Sequence, residues 1–302
     1  MTVVNTMRFN DNSGAMVSDS QGSNQVRKYD LFDKIRTYET DRAQLLVGMT
    51  GDPDMLSECL DQFKVELKTD FTVDLANQLL SEIATKKKRK IVDAYLKTTY
   101  GIDTETALKG EGISPQILPG MLQDLKAESQ SAMQRFNSLY LLVGKDDSGC
   151  VLSSIYFGSS PSVSSIPYSS FGSGRDQSDS VLGKYVTELK RKDMENIPFI
   201  PGMAALIRAT NDSSDFNQGV GGIPAIAYLD SDGITTLDED AALLASEIVR
   251  VQDAELITGR RAEMALEGIL SGGLSFDQAE KKAFRDSRKE KEIMRFLRGF
   301  KV

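Results

Sequence analysis

Thr2, directly behind Met1, is the residue whose type and place offer the most chemistry in this chain. A threonine at a mature N-terminus carries a nucleophilic hydroxyl and an α-amine on one residue. That amine, with an ordinary pKa of about 7.7–8.0, accepts a proton near neutral pH. The chain contains no histidine, so the imidazole that serves most hydrolases as a proton shuttle is missing. Threonine is small enough for ordinary removal of Met1 to expose it. Taken alone a Met-Thr start is commonplace, and its significance depends on the residues that mount it.

The next fifty residues supply such a mount. Val3 to Phe9 is apolar and β-branched and reads as a strand. Asn10 to Gly14 is dense turn chemistry, and Ala15 to Ser20 reads as the return strand of a hairpin. Asp19 then falls near the end of the return strand, level with Thr2. A second hairpin turns through Glu39 to Arg42, and its return strand, Ala43 to Val47, runs into Gly48-Met49-Thr50-Gly51-Asp52.

These pieces resemble the proteasome β-subunit group of N-terminal nucleophile hydrolases, which includes HslV and the bacterial Anbu proteins. The matching residues are Thr2, Ser18-Asp19-Ser20, Asp33-Lys34-Ile35 and Gly48-Met49-Thr50-Gly51-Asp52. Later in the chain, Phe171-Gly172-Ser173-Gly174 resembles the family's Gly-Ser-Gly turn, and the run from Asp215 to Gly221 resembles its acidic, glycine-rich run before a strand. The blocks span about 2–68 and 138–240, in the family's order. Two departures stand out: Gln21 where the family often has arginine, and Gln218 where it has serine.

The resemblance implies roles. Thr2 would supply nucleophile and base. Lys34 would ease ionisation of the hydroxyl with its positive charge, and Asp19 would hold Lys34 charged and oriented. The backbone N–H of Gly48 would stabilise the oxyanion. Ser173 and Asp215 would orient the α-amine. Read singly, Lys34 fits a solvated strand end, Asp19 a turn, and Gly48 and Gly51 turn punctuation. Their joint order and spacing favour chemistry.

Composition sets the frame. The chain has 302 residues, 40% hydrophobic and 26% charged, enough for a sizeable core. A net charge of −8 argues against a nucleic-acid partner. No apolar run is long enough to span a bilayer, and the N-terminus lacks a signal-peptide pattern. Cys59 and Cys150 make no disulfide framework and read as packing. Without histidine, and with two cysteines, the usual zinc sites are excluded. The expected location is cytoplasmic, and no cofactor or metal is expected.

Apolar spacing predicts helices over about 53–67 and 70–96, the second carrying Lys86 to Lys90 on a solvated face. A loop is expected over 101–115 and a helix over 115–136, with 100–136 an insertion relative to the resembling family. Strands are expected over 138–144 and 150–157, a short edge segment at Ile166-Pro167-Tyr168, and helices over 179–191 and 201–210. A hairpin over 223–237 and a helix over 239–251 complete this region. The segment 259–302 is highly charged, with Ile293, Met294, Phe296, Leu297 and Phe300 forming an apolar side expected to dock on a neighbouring subunit.

The pattern alone is α+β, two antiparallel sheets between helical layers. The resemblance sharpens this to a four-layer α/β/β/α sandwich, with a core over 2–258 and a helical C-terminal extension over 259–302. It implies a threonine-type endopeptidase that acts on peptides or polypeptides through an acyl-enzyme. It also implies a homo-oligomeric ring or spiral, leaving any unfoldase partner open. Alternatives are a non-catalytic assembly subunit, and a transferase or peptide ligase on the same fold.

Overall fold

Alternating apolar residues carry the chain straight from Thr2 into a sheet. Val3–Asn10 (β1) turns through Asp11-Asn12 into Ser13–Ser18 (β2). In this computed structural model the described residues are 2–23, 28–29, 34–109, 138–189, 193–217, 220–285 and 287–299, with 116, 119, 120 and 123 between them. Asp33, Gln218 and Phe300 therefore lie outside the described residues. A small ribbon of Gly22–Ser23 (β3) and Lys28–Tyr29 (β4) leads to the second hairpin, Ile35–Glu39 (β5) and Gln44–Thr50 (β6).

Helix α1, Pro53–Glu66, starts where expected because Asp52 caps the Met55 amide and Pro53 needs no N–H partner in the first turn. Helix α2, Val73–Tyr100, is capped by Thr72 and ends on Gly101 in the left-handed region (φ 71°). A short helix, Thr104–Lys109 (α3), lies where a loop was expected, with Asp103 accepting from the Thr106 amide at its start. The helix expected over 115–136 falls largely outside the described residues.

Leu139–Asp146 (β7) and Gly149–Tyr156 (β8) form a hairpin, followed by Ser162–Val163 (β9) and Tyr168–Gly172 (β10). The edge segment therefore starts at Tyr168 and continues through Phe171-Gly172. Helices Arg175–Glu188 (α4) and Phe199–Phe216 (α5) precede the hairpin Ala225–Asp230 (β11) and Gly233–Thr236 (β12). Glu239–Asp253 (α6), Gly259–Leu270 (α7), Phe276–Glu280 (α8) with a π turn at Lys281–Arg285, and Glu290–Leu297 (α9) complete the order.

The strands form two five-stranded antiparallel sheets, ordered β10-β1-β2-β11-β12 and β5-β6-β7-β8-β9. Period-two alternation sends Val4 and Met16 between the sheets, against Leu46, Leu141 and Val143. It sends Met7, Phe9 and Val17 outward onto α5 and α6. Helices α1 and α2 cover the other sheet through Leu56, Leu60, Phe63 and Leu80. The result is the expected α/β/β/α sandwich. Cys59 and Cys150 are both buried and free. Lys86, Arg89 and Lys90 are exposed and Lys87 pairs with Glu58, as befits a solvated face.

The C-terminal segment packs back on the rest of the chain. Ala262, Leu266, Ile269, Phe284 and Ile293 belong to the same core cluster as Phe9 and Ile248, and Phe296 and Leu297 pack against it. Ile293, Phe296 and Leu297 of its apolar side thus pack within the chain. Among the described residues no helix is long and apolar enough to cross a membrane.

Candidate active site

Thr2 precedes β1 and lies on the inter-sheet face with Val4. Two neighbours hold it. Its backbone nitrogen donates to Ser173 Oγ at 3.1 Å, while Ser173 Oγ and the Gly174 amide reach its carbonyl at 3.3 and 3.4 Å. With Met1 attached this nitrogen is a peptide N–H, standing in for the α-amine that trimming would expose. The close approach depends on Gly172, whose φ is +105° and where a Cβ would fall 2.1 Å from the Thr2 carbonyl oxygen.

The side chain of Thr2 turns to Asp19. Thr2 Oγ1 donates to Asp19 Oδ1 at 3.0 Å, and the same oxygen accepts the Val3 amide at 2.8 Å and Lys34 Nζ at 2.6 Å. Asp19 lies just past β2, its amide bonded to the Val3 carbonyl, so the hairpin itself sets this carboxylate beside the Thr2 hydroxyl. Its other oxygen takes the Gly221 amide at 3.3 Å. Lys34 also donates to the Gln21 carbonyl at 2.7 Å. Lys34 and Asp19 are 4% and 1% exposed, which removes solvent screening from the pair. Burial lowers the Lys34 pKa from its ordinary value, and the Asp19 charge and hydrogen bond oppose that shift.

Gly48 is placed differently from its expected role. Val4 and Met16 press on it, each 2.6 Å from where a Cβ would stand, so this glycine lets the sheets meet. Its amide is also occupied. Met49 donates to the Lys34 carbonyl across β5, so antiparallel alternation turns the Gly48 N–H to Leu141 on β7. The amide just past the ladder, at the end of β6, is that of Gly51. Among the described residues it has no hydrogen-bond acceptor. Gly51 has φ +124°, and a Cβ there would meet Ser138 Cα at 2.6 Å. Gly51→Ala is accordingly expected to cost about 2 kcal/mol of stability or more in a thermal melt.

Asp215 is drawn elsewhere. It lies near the end of α5, half-exposed, and both its oxygens meet Arg250 Nη1 at 2.9 and 2.8 Å. The residue of that stretch that reaches Ser173 is Asn217, whose Nδ2 donates to the Ser173 carbonyl at 2.8 Å. The structure thus brings Thr2, Asp19, Lys34 and Ser173 together and leaves Gly48 and Asp215 outside that cluster. Reasoning from sequence missed Asn217, the Gln21 carbonyl and the amides of Gly51 and Gly221. The glycine-rich stretch through Gly221-Gly222 was the available signal for a close backbone approach.

No protein-family model and no curated protein matches the chain by sequence. Solved structures do match by shape. Anbu (ancestral beta-subunit) from Yersinia bercovieri superposes with a TM-score of 0.59 at 15% identity, over 84% of this chain and 94% of that one. The chain is folded like an Anbu subunit. An Anbu (Gly-1) mutant from Hyphomicrobium sp. strain MC1 gives 0.56 at 9% identity, over 85% and 98%. The Anbu complex from Pseudomonas aeruginosa, solved as a helical assembly, gives 0.59 at 14% identity, over 84% and 94%. The four-layer, proteasome-like fold is therefore shared with Anbu across nearly the whole of each relative.

Proposed function

We propose that this chain is a proteasome-like threonine peptidase, with Thr2 as nucleophile once Met1 is removed. The observation that carries the reading is the single oxygen of Asp19 that holds both Thr2 Oγ1 and Lys34 Nζ. The α-amine of Thr2 takes the hydroxyl proton as Oγ1 attacks the peptide carbonyl carbon. The Lys34 ammonium favours the developing alkoxide, and Asp19 keeps it in place. The Gly51 amide receives the negative charge of the tetrahedral intermediate. Collapse breaks the C–N bond, the leaving amine takes the proton from the Thr2 ammonium, and water hydrolyses the ester. Ser173, steadied by Asn217, orients the terminal nitrogen. Like the helical Anbu complex, the chain would assemble with copies of itself, and it would act on peptides in the cytoplasm.

Engagement of Asp215 by Arg250 favours one other reading, a non-catalytic assembly subunit. Intact-mass analysis before and after an electrophile that bridges a terminal threonine's hydroxyl and amine separates the two. One adduct on Met1-trimmed chain is the expected result. Fully trimmed chain without adduct, or retained Met1, would establish the non-catalytic reading.

A further inference from the structure

The cluster around Thr2, Asp19 and Lys34 uses one flank of the nucleophile. On the other flank, across β10, three side chains gather that the proposed chemistry does not use. Phe171 pairs with Val4 in the β10–β1 ladder and packs on the inter-sheet core. The Tyr156 ring meets it edge-on, with centroids 5.6 Å apart and planes at 81°. The Arg175 guanidinium lies 4.8 Å from the Phe171 centroid and is also held by Asp179.

These residues are tied to the site by short covalent paths. Phe171 lies two residues before Ser173, which bonds the Thr2 nitrogen, and Arg175 lies two residues after it. Tyr156 pairs with Leu139, and Leu139 with Thr50, so the rung that carries Tyr156 on one sheet leads to Gly51. Strand alternation places Tyr156 on the inter-sheet side with Cys150 and Leu152, yet it remains 47% exposed. Braced by Phe171 and half-exposed, the Tyr156 ring offers a stacking surface. An extended peptide advances about 3.3–3.6 Å per residue. A side chain one or two residues from the scissile bond therefore spans the step from Thr2 to the neighbouring strand.

The geometry points to a substrate subsite formed by Tyr156, Phe171 and Arg175 that takes an aromatic side chain of the bound peptide, on the flank of Thr2 opposite Lys34. This rests on the reading of Thr2 as the place where a peptide is held. Tyr156 supplies the stacking face. Phe171 fixes the angle of that ring. Arg175, its charge paired with Asp179, lies over the Phe171 ring and steadies it.

Binding tests the subsite apart from hydrolysis. The Thr2→Ala chain, unable to form an acyl-enzyme, is titrated with fluorescein-labelled hexapeptides and followed by anisotropy. The peptides differ in carrying Phe, Ala or Lys at one scanned position. At one position the Phe peptide is expected to bind about tenfold more tightly than the Ala peptide. The Lys peptide should bind no better than Ala. Adding Tyr156→Ala should bring the Phe-to-Ala ratio to about one, while Tyr156→Phe should keep it. The exposure of Tyr156 makes both variants compatible with folding, which thermal melts check. Equal affinity for Phe and Ala at every position, or a preference untouched by Tyr156→Ala, overturns the subsite. A Tyr156-dependent preference in a chain that never labels at Thr2 supports the subsite and overturns the peptidase.

Discussion

Thr2→Ala is expected to lower peptide hydrolysis by roughly 10⁴- to 10⁶-fold, the scale on which an activated nucleophile contributes. The fold should survive. Thr2 is half-buried and precedes β1, and the strand keeps its pairing with β2 and β10 through backbone groups the substitution does not touch. Asp19 loses one donor of the four it holds and retains Lys34 and the amides of Val3 and Gly221. The melting temperature should therefore move by a few degrees at most. Thr2→Ser separates the hydroxyl from the methyl. A Cβ added at Gly172 would stand 3.1 Å from Thr2 Cγ2, so the methyl rests against β10 and restricts χ1. Serine keeps the nucleophile and loses that restraint, and about a tenfold loss in kcat is expected. Equal activity of the alanine and wild-type chains would remove Thr2 from the chemistry.

Much of the frame is legible in the residues alone. The first hairpin can be read because alternation in Val3 to Phe9 gives way to five consecutive turn-forming residues. Helix α1 announces itself through Asp52 and Pro53. The layer order needs the resemblance, since periodicity says that a face is buried without saying against what. The same gap hides how the C-terminal segment packs, with Ile293 and Phe296 covering the chain's own core. Strand β10 is mostly hidden because Ser169, Ser170 and Gly172 look like loop residues, and only their ladder with β1, from Val3 to Met7, makes them a strand.

The site divides along the same line. Lys34 is reached through the resemblance, while Asp19 is legible because it follows a short, locally determined hairpin, so chain spacing translates directly into position. The choice between Gly48 and Gly51 is not. Spacing counts residues, whereas the parity of hydrogen bonds in β6 decides which way each amide points, and that parity is set by the partner strands. Asp215 is close in sequence to the glycine-rich stretch that touches Asp19. Helix α5 continues through Phe216, however, and the carboxylate ends beside Arg250 on α6. An alternation argument cannot foresee a partner 35 residues away.

The Asp19–Lys34 pair carries the second large effect, and it separates stability from catalysis. Lys34→Met leaves the Asp19 carboxylate buried at 1% exposure without its counter-charge, at an expected cost of about 3–5 kcal/mol in chemical denaturation. Asp19→Asn with Lys34→Met removes both charges and should recover most of that stability. Activity should fall about 10³-fold in the single and in the double variant alike, because neither has a cation beside the Thr2 hydroxyl. Recovery of activity with stability would assign the pair a structural role alone. The pH dependence distinguishes them further. Burial lowers the Lys34 pKa in the folded chain from 10.5, so the ammonium is lost below that pH and kcat/KM should fall there. Between the lowered value and 10.5 the unfolded chain binds a proton that the folded chain does not, so this group's contribution to stability rises with pH. Activity and stability therefore move in opposite directions through the same window. Subtracting the profiles of the double variant isolates Lys34 from the other alkaline titrations, and a difference profile flat in both quantities would contradict the lowered pKa.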